Sequence, residues 1–289
     1  MLPNDLRPLG LGELLDRAVT LFVRHFGVLV TTLAVTYVPF LFVQWALVGG
    51  LVMRKPATLA RGEWLSLGLD VVAGILVFAL ARTAVAQAAY AVYMSQTPSL
   101  RTAYRVAVQR FDAQIVTFIF GSLVGAAMLL AVTIVLIVIA AIAALGGSSG
   151  AIPVLIAMGI AGLVTAVLSA WLFLGFELAT VRIAIGTPRP YTALFQALRA
   201  TMFRRPWPSL LAAVTLMAVA LGGSLISSAL LELIPSAAVR TFVTFAVSSV
   251  ESIVFEALTV AFLVAYAVDL MVRREGLDLA VALDAAPRQ

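Results

Sequence analysis

The sequence predicts an all-α membrane protein: six transmembrane helices in three repeated units, each an amphipathic interfacial helix followed by a two-span hairpin. Three observations carry that reading: six long apolar stretches, positive charge gathered at one set of span ends, and self-similarity at periods of 89 and 90 residues. The stretches cover roughly residues 27–53, 66–93, 114–145, 151–181, 207–234 and 237–271. Each exceeds the about 20 apolar helical residues that cross a hydrocarbon core. Composition agrees, with 63% of residues hydrophobic and 11% charged, against about 25% charged in soluble domains. The whole chain, 1–289, reads as one polytopic domain, with repeat units at about 11–96, 97–186 and 187–272 and a short tail at 273–289.

Charge sets the orientation. Of 19 Lys and Arg residues, fourteen fall on one side of the spans. They are Arg7, Arg17 and Arg24 before the first span and Arg101, Arg105 and Arg110 between the second and third. Arg182, Arg189, Arg199, Arg204 and Arg205 separate the fourth and fifth, and Arg273, Arg274 and Arg288 follow the sixth. The opposite side has only Arg54, Lys55, Arg61 and Arg240, while Arg82 lies inside a span. Positive residues beside spans stay in the cytoplasm, so both termini are expected there. A pI near 10.1 does not imply a nucleic-acid partner when the arginines sit at span edges. That placement suits the lipid bilayer and its anionic headgroups. No cleavable signal peptide is expected, because the first 26 residues carry Asp5, Glu13 and Asp16 and no compact apolar run.

The first unit opens on LGELLDRAVTLFVRHFGVLV, residues 11–30, in which Leu14, Leu15, Ala18, Leu21 and Phe22 recur at helical spacing. The second opens on SLRTAYRVAVQRFDAQIV, residues 99–116, with Ala103, Tyr104, Ala107, Val108 and Phe111 on one stripe. The third opens on YTALFQALRATMFRRPWPSLL, residues 191–211. Placing Ala18, Ala107 and Ala197 in register defines the repeat. The exits match too, since AYAV occupies both 89–92 and 265–268 and Thr97-Pro98 recurs as Thr187-Pro188. An apolar stripe with arginine on its flank describes a helix lying in the interface. The competing reading is a cytoplasmic extension of each long span. Arg17, Arg24, Arg101, Arg105, Arg110, Arg199, Arg204 and Arg205 are the expected membrane-interface residues. With two spans per unit, all three units share one orientation.

Within the first span, Pro39 is expected to kink the helix. The second begins near Asp70, expected in the outer headgroup layer, and carries Arg82 near its middle. A charge at that depth costs about 3 kcal/mol or more unless it is paired or hydrated. With AYAV as a ruler, Arg82 corresponds to Leu258, two residues from Glu256 of the last span, so an Arg82–Glu256 ion pair is expected. Glu251 lies about 140° around that helix from Glu256, so both glutamates cannot easily face Arg82. In the third span, Gly121 and Gly125 of GSLVG favour close helix approach. Gly146–Gly150 makes a tight outer turn. Glu177, near the end of the fourth span, corresponds in register to Gln87. It serves either a polar ring or an anchor to Arg182, Arg199 or Arg204. Arg82, Glu177, Glu251 and Glu256 together form the candidate intramembrane polar site, whose role is either structural packing or transport.

Chemistry is sparse elsewhere. The single histidine, His25, has no Asp, Glu or Cys at ligand spacing, and the chain lacks cysteine altogether. No nucleophile elbow or phosphate-binding glycine loop is present. Neither a catalytic residue, a metal nor a cofactor is therefore expected, and the chain reads as a non-enzyme.

Three motifs bear a resemblance. RPLGLGELLDRA at 7–18, Glu177 ahead of a basic amphipathic segment, and DLMVRREGLDL at 269–279 resemble the bacterial glycerophosphoryl diester phosphodiesterase membrane domain and its relatives. The resemblance covers the whole chain and implies a stand-alone membrane domain whose biochemical function is unassigned; the expected location is the cell's inner membrane. The resemblance does not imply a phosphodiesterase, because the His-Gly-Gly motif and the barrel-length soluble segment of those catalytic domains are absent. Two functional readings follow: a non-enzymatic accessory or scaffold component that engages lipid or a protein partner, or a small transporter or lipid-handling protein using Arg82, Glu256 and Glu177.

Overall fold

Apolar runs of this length become long helices, because backbone amides without water must bond within their own segment. A computed structural model describes residues 9–52, 61–145, 151–186, 189–232, 234 and 236–275. Among these, every regular element is helical. In chain order they are α1 (Leu11–Arg24), α2 (Phe26–Val52), α3 (Arg61–Tyr93), α4 (Leu100–Gln109), α5 (Phe111–Leu145) and α6 (Ala151–Ile185). Then come α7 (Pro190–Arg199), a π turn (Ala200–Arg204), α8 (Pro206–Leu231) and α9 (Ala237–Glu275). The expected Gly146–Gly150 turn, Thr187-Pro188, Arg7, Arg54, Lys55, Arg288 and the run beyond Glu275 lie outside the described residues, as do the side chains of Arg61, Asp70 and Arg274.

Six helices, α2, α3, α5, α6, α8 and α9, are long and apolar enough to cross a membrane. That is the build of an integral membrane protein. The short helices are separate elements: α1 stops at His25, α4 at Arg110, and α7 runs into the π turn. Each buries its apolar stripe, through Leu14, Ala18 and Leu21 on α1, Ala103 and Ala107 on α4, and Ala193, Leu194 and Ala197 on α7. Glu13 accepts a hydrogen bond from the Gly10 amide at 3.0 Å, which closes the start of α1. The α2 helix continues through Pro39.

The helices are not equivalent in position. In α9, 78% of the apolar span is buried inside the protein, against 6% in α5, so α9 is the central helix and α5 a peripheral one. Sequence explains the difference. Residues 260–268 of α9, VAFLVAYAV, are apolar on every face and intersperse Ala261, Ala265 and Ala267 among larger side chains. An all-round apolar helix is one surrounded by others. The alanines of α3 (Ala81, Ala84, Ala88, Ala89) and of α9 (Ala257, Ala261, Ala265, Ala267) are buried, and small residues allow the backbones to approach closely.

Candidate functional site

Among the described residues, Arg82, Glu177 and Glu256 meet as a charged cluster inside this apolar bundle. Arg82 rises from α3 and is 3% exposed. It forms ion pairs with Glu177 of α6, through one terminal guanidinium nitrogen, and with Glu256 of α9, whose Oε1 lies 3.3 Å from Nε. The Phe78 ring sits beneath the guanidinium, 5.0 Å from its carbon to the ring centroid, a cation–π contact of about 0.5–2 kcal/mol. Sequence register placed Arg82 and Glu256 at one depth, and they do meet. Glu177 joins them, turning inward to Arg82. Glu251 stands apart against α8. Its carboxylate accepts a hydrogen bond from the Ser227 hydroxyl at 2.9 Å, and it fits because Gly223 has no side chain: a Cβ there would lie 2.8 Å from Oε1.

A second polar cluster, absent from the sequence expectations, closes one end of the bundle. Asp269 of α9 is 1% exposed. Its Oδ1 accepts the Leu9 amide at 2.7 Å, and its Oδ2 accepts Arg205 Nη1 at 2.7 Å and Arg273 Nε at 2.9 Å. Arg273 also donates to the Leu9 carbonyl at 2.6 Å. One carboxylate thus ties the approach to α1, the approach to α8 and the end of α9. The signal available in sequence was the Asp269/Arg273 spacing of four, which places both on one helix face.

Carbonyls in the last two turns of α6 accept hydrogen bonds from neighbouring side chains. Gln87 donates to Ala184, Arg110 to Ile183, and Gln114 Nε2 to Thr180 at 2.7 Å. Gln87 therefore caps α6 and does not extend a ring with Glu177. Burial lowers the Arg110 guanidinium pKa from its ordinary value. It raises that of the Tyr104 hydroxyl, against the opposing effect of the Thr36 hydrogen bond. Tyr104 shares a 2.5 Å hydrogen bond with the Thr36 hydroxyl and donates to the Thr32 carbonyl at 2.5 Å, clamping α4 onto α2.

Among the interface arginines, Arg17 donates to the Tyr93 hydroxyl at 3.3 Å. Arg24, Arg101 and Arg105 are exposed. Arg199, Arg204 and Arg205 line a cavity of about 480 Å³ shared with Arg182 and Arg273. Among the described residues no group of three or more His, Asp or Glu is placed to hold a metal ion.

These features define a helical integral-membrane class that, among the described residues, holds the buried Arg82 cluster within the bundle and the Asp269 cluster at a basic end. Compared with family models, characterised proteins and solved structures, the chain matches none, so its resemblance to the phosphodiesterase membrane domains rests on the three motifs alone.

Proposed function

We propose that this chain is a non-enzymatic accessory or scaffold component of the cell's inner membrane, built as three pseudo-equivalent units with both termini in the cytoplasm. The repeat reading is supported by the order of one short and two long helices occurring three times, and by burial of the register alanines Ala18, Ala107 and Ala197. On this reading the chain is a stand-alone relative of the phosphodiesterase membrane domains, and its basic surface faces anionic lipid and a protein partner.

The observation that carries the scaffold reading is the closure of the Arg82 cluster. A single guanidinium bridges α3, α6 and α9, and the helices around it are packed through Ala81, Val85, Leu174, Leu178, Ala257 and Val260. A buried charge network of this kind fixes which helices meet, and separating them would strand an unpaired charge. A transporter or lipid-handling protein is the second reading. It is supported by two carboxylates facing one guanidinium, and by the buried Thr259 hydroxyl, which has no hydrogen-bond partner among the described residues. Thr259 lies three residues from Glu256, on the same helix face.

Reconstitution into sealed vesicles carrying a pH-sensitive dye separates the two. A scaffold leaves proton permeability equal to that of protein-free vesicles, for wild type and Glu256→Gln alike. A proton flux in wild type that Glu256→Gln abolishes would sink the scaffold reading.

A further inference from the structure

The basic end of the bundle holds a cavity whose chemistry is distinct from the Arg82 cluster. Its volume is about 480 Å³, and Arg182, Arg199, Arg204, Arg205 and Arg273 all line it. Asp269 bonds two of them, Arg205 and Arg273, and one carboxylate can neutralise no more than one of five charges. Arg182 donates to Gln196 at 3.0 Å. Arg199 and Arg204 are exposed and have no ion-pair or hydrogen-bond partner among the described residues. Two free guanidinium groups therefore face a cavity already walled by three fixed ones.

The backbone arranges this. Residues five apart on an α-helix point about 140° from each other, which would separate Arg199 from Arg204. Here the Arg205 amide bonds to the Ala200 carbonyl at 3.0 Å, and the chain from Ala200 to Arg204 is a π turn. Its wider turn, closed by bonds between residues five apart, brings both arginines to the same cavity. The other two short helices end at single-residue breaks, His25 and Arg110, so this device belongs to the third alone.

The cavity's level is set by the spans that meet there. Arg182 is close to the end of the α6 span, Arg205 immediately precedes the α8 span, and Arg273 ends the α9 span. Tyr191 and Phe195 line the cavity and are exposed, and Phe203 and Trp207 project nearby in sequence with 79% and 77% exposure. Exposed aromatic rings beside arginines at span ends mark the headgroup layer. Guanidinium forks match phosphate oxygens two at a time, and basic pockets between membrane helices suit anionic headgroups.

We propose that this cavity binds a phosphate-bearing anion, and that in the membrane the anion is the headgroup of an anionic phospholipid. Arg199 and Arg204 grip the phosphate, Arg182 and the Asp269-tethered pair wall it in, and Tyr191 and Phe195 meet the apolar part of the lipid. The site does not depend on whether the Arg82 cluster is structural.

The test is titration calorimetry of the full chain in neutral detergent with three probes: short-chain phosphatidylglycerol, short-chain phosphatidylcholine and inorganic phosphate. Wild type should bind one phosphatidylglycerol per chain and ignore phosphatidylcholine. The Arg199→Gln/Arg204→Gln variant should bind it about tenfold more weakly or worse, whereas Arg101→Gln/Arg105→Gln, which removes equal charge from α4, should bind as wild type does. Equal weakening by both double variants would reduce the effect to diffuse surface charge and overturn the site. Binding of inorganic phosphate without phosphatidylglycerol would assign the cavity to a soluble phosphate and overturn the lipid assignment. Because both arginines are exposed, their loss should leave the unfolding transition in place, and that transition is recorded alongside.

Discussion

Arg82 has two carboxylates to satisfy and one positive charge with which to do it. Removing the arginine leaves Glu177 and Glu256 facing each other without a counter-charge, whereas removing Glu256 leaves an intact Arg82–Glu177 pair. Loss of one partner from a buried pair costs about 3–5 kcal/mol. Arg82→Ala should therefore destabilise by that amount, and Glu256→Gln by less than half of it, in detergent-monitored unfolding. Equal losses would mean that Glu177 does not hold the arginine. The sequence made part of this cluster legible. The duplicated AYAV gave the relative depth of α3 and α9, and the Arg82–Glu256 pair follows from it. Glu177 was harder, because register counts Cα positions, while a long arginine side chain covers about one helical turn of 5.4 Å. Nearby Arg182, Arg199 and Arg204 also offered Glu177 local partners. Asp269 was invisible for a related reason: its partners Leu9 and Arg205 lie 260 and 64 residues away, and only the Arg273 contact is local.

Between helices, a glycine matters where a neighbouring backbone comes close. Sequence spacing drew attention to Gly121 and Gly125, and they behave differently. A Cβ on Gly121 would collide with the Phe176 ring, while one on Gly125 would meet nothing within 4 Å. Among the described glycines, Gly175 of α6, which no spacing motif marks, is the one set against a neighbouring backbone. A Cβ there would lie 2.6 Å from Leu198 Cδ2, 3.1 Å from Thr201 Oγ1 and 3.4 Å from Leu198 Cα. The leucine tip can rotate away; the α7 backbone can only move as a unit. Overpacking of this kind costs about 1–3 kcal/mol. Gly175→Val should show that loss in thermal unfolding and should also weaken phosphatidylglycerol binding, because α7 and the π turn carry Arg199 and Arg204. Gly125→Val should change neither. A Gly175→Val protein as stable as wild type, with undiminished lipid binding, would show that α7 does not rest on α6 at this point. The π turn was likewise unreadable in advance. A single widened turn has no residue pattern of its own, and the contact beside it, from the Trp171 indole nitrogen to the Pro206 carbonyl at 2.9 Å, joins residues 35 apart.

At the scale of the whole molecule, the six spans were legible because membrane helices announce themselves by length and composition, and the structure has six helices to match. Which face of the membrane each end occupies is a separate matter, and it rests on fourteen positive residues against four. The chain offers a direct test because it contains no cysteine, so a single introduced thiol is an unambiguous reporter. Arg24, Arg105 and Arg204 are exposed and follow or belong to the three short helices, while Trp64 and Ser236 are exposed at the opposite span ends. With two spans between successive short helices, the first three positions must share a side. In right-side-out vesicles a membrane-impermeant maleimide should label Trp64→Cys and Ser236→Cys directly, and Arg24→Cys, Arg105→Cys and Arg204→Cys only after permeabilisation. The reverse pattern would keep the three-unit arrangement but invert the protein, moving the basic cavity to the outer leaflet. A split among Arg24, Arg105 and Arg204 would break the parallel repeat itself. It would require one of the six long helices to lie along the membrane instead of crossing it, and the peripheral α5, with 6% of its span buried, would be the first to re-examine.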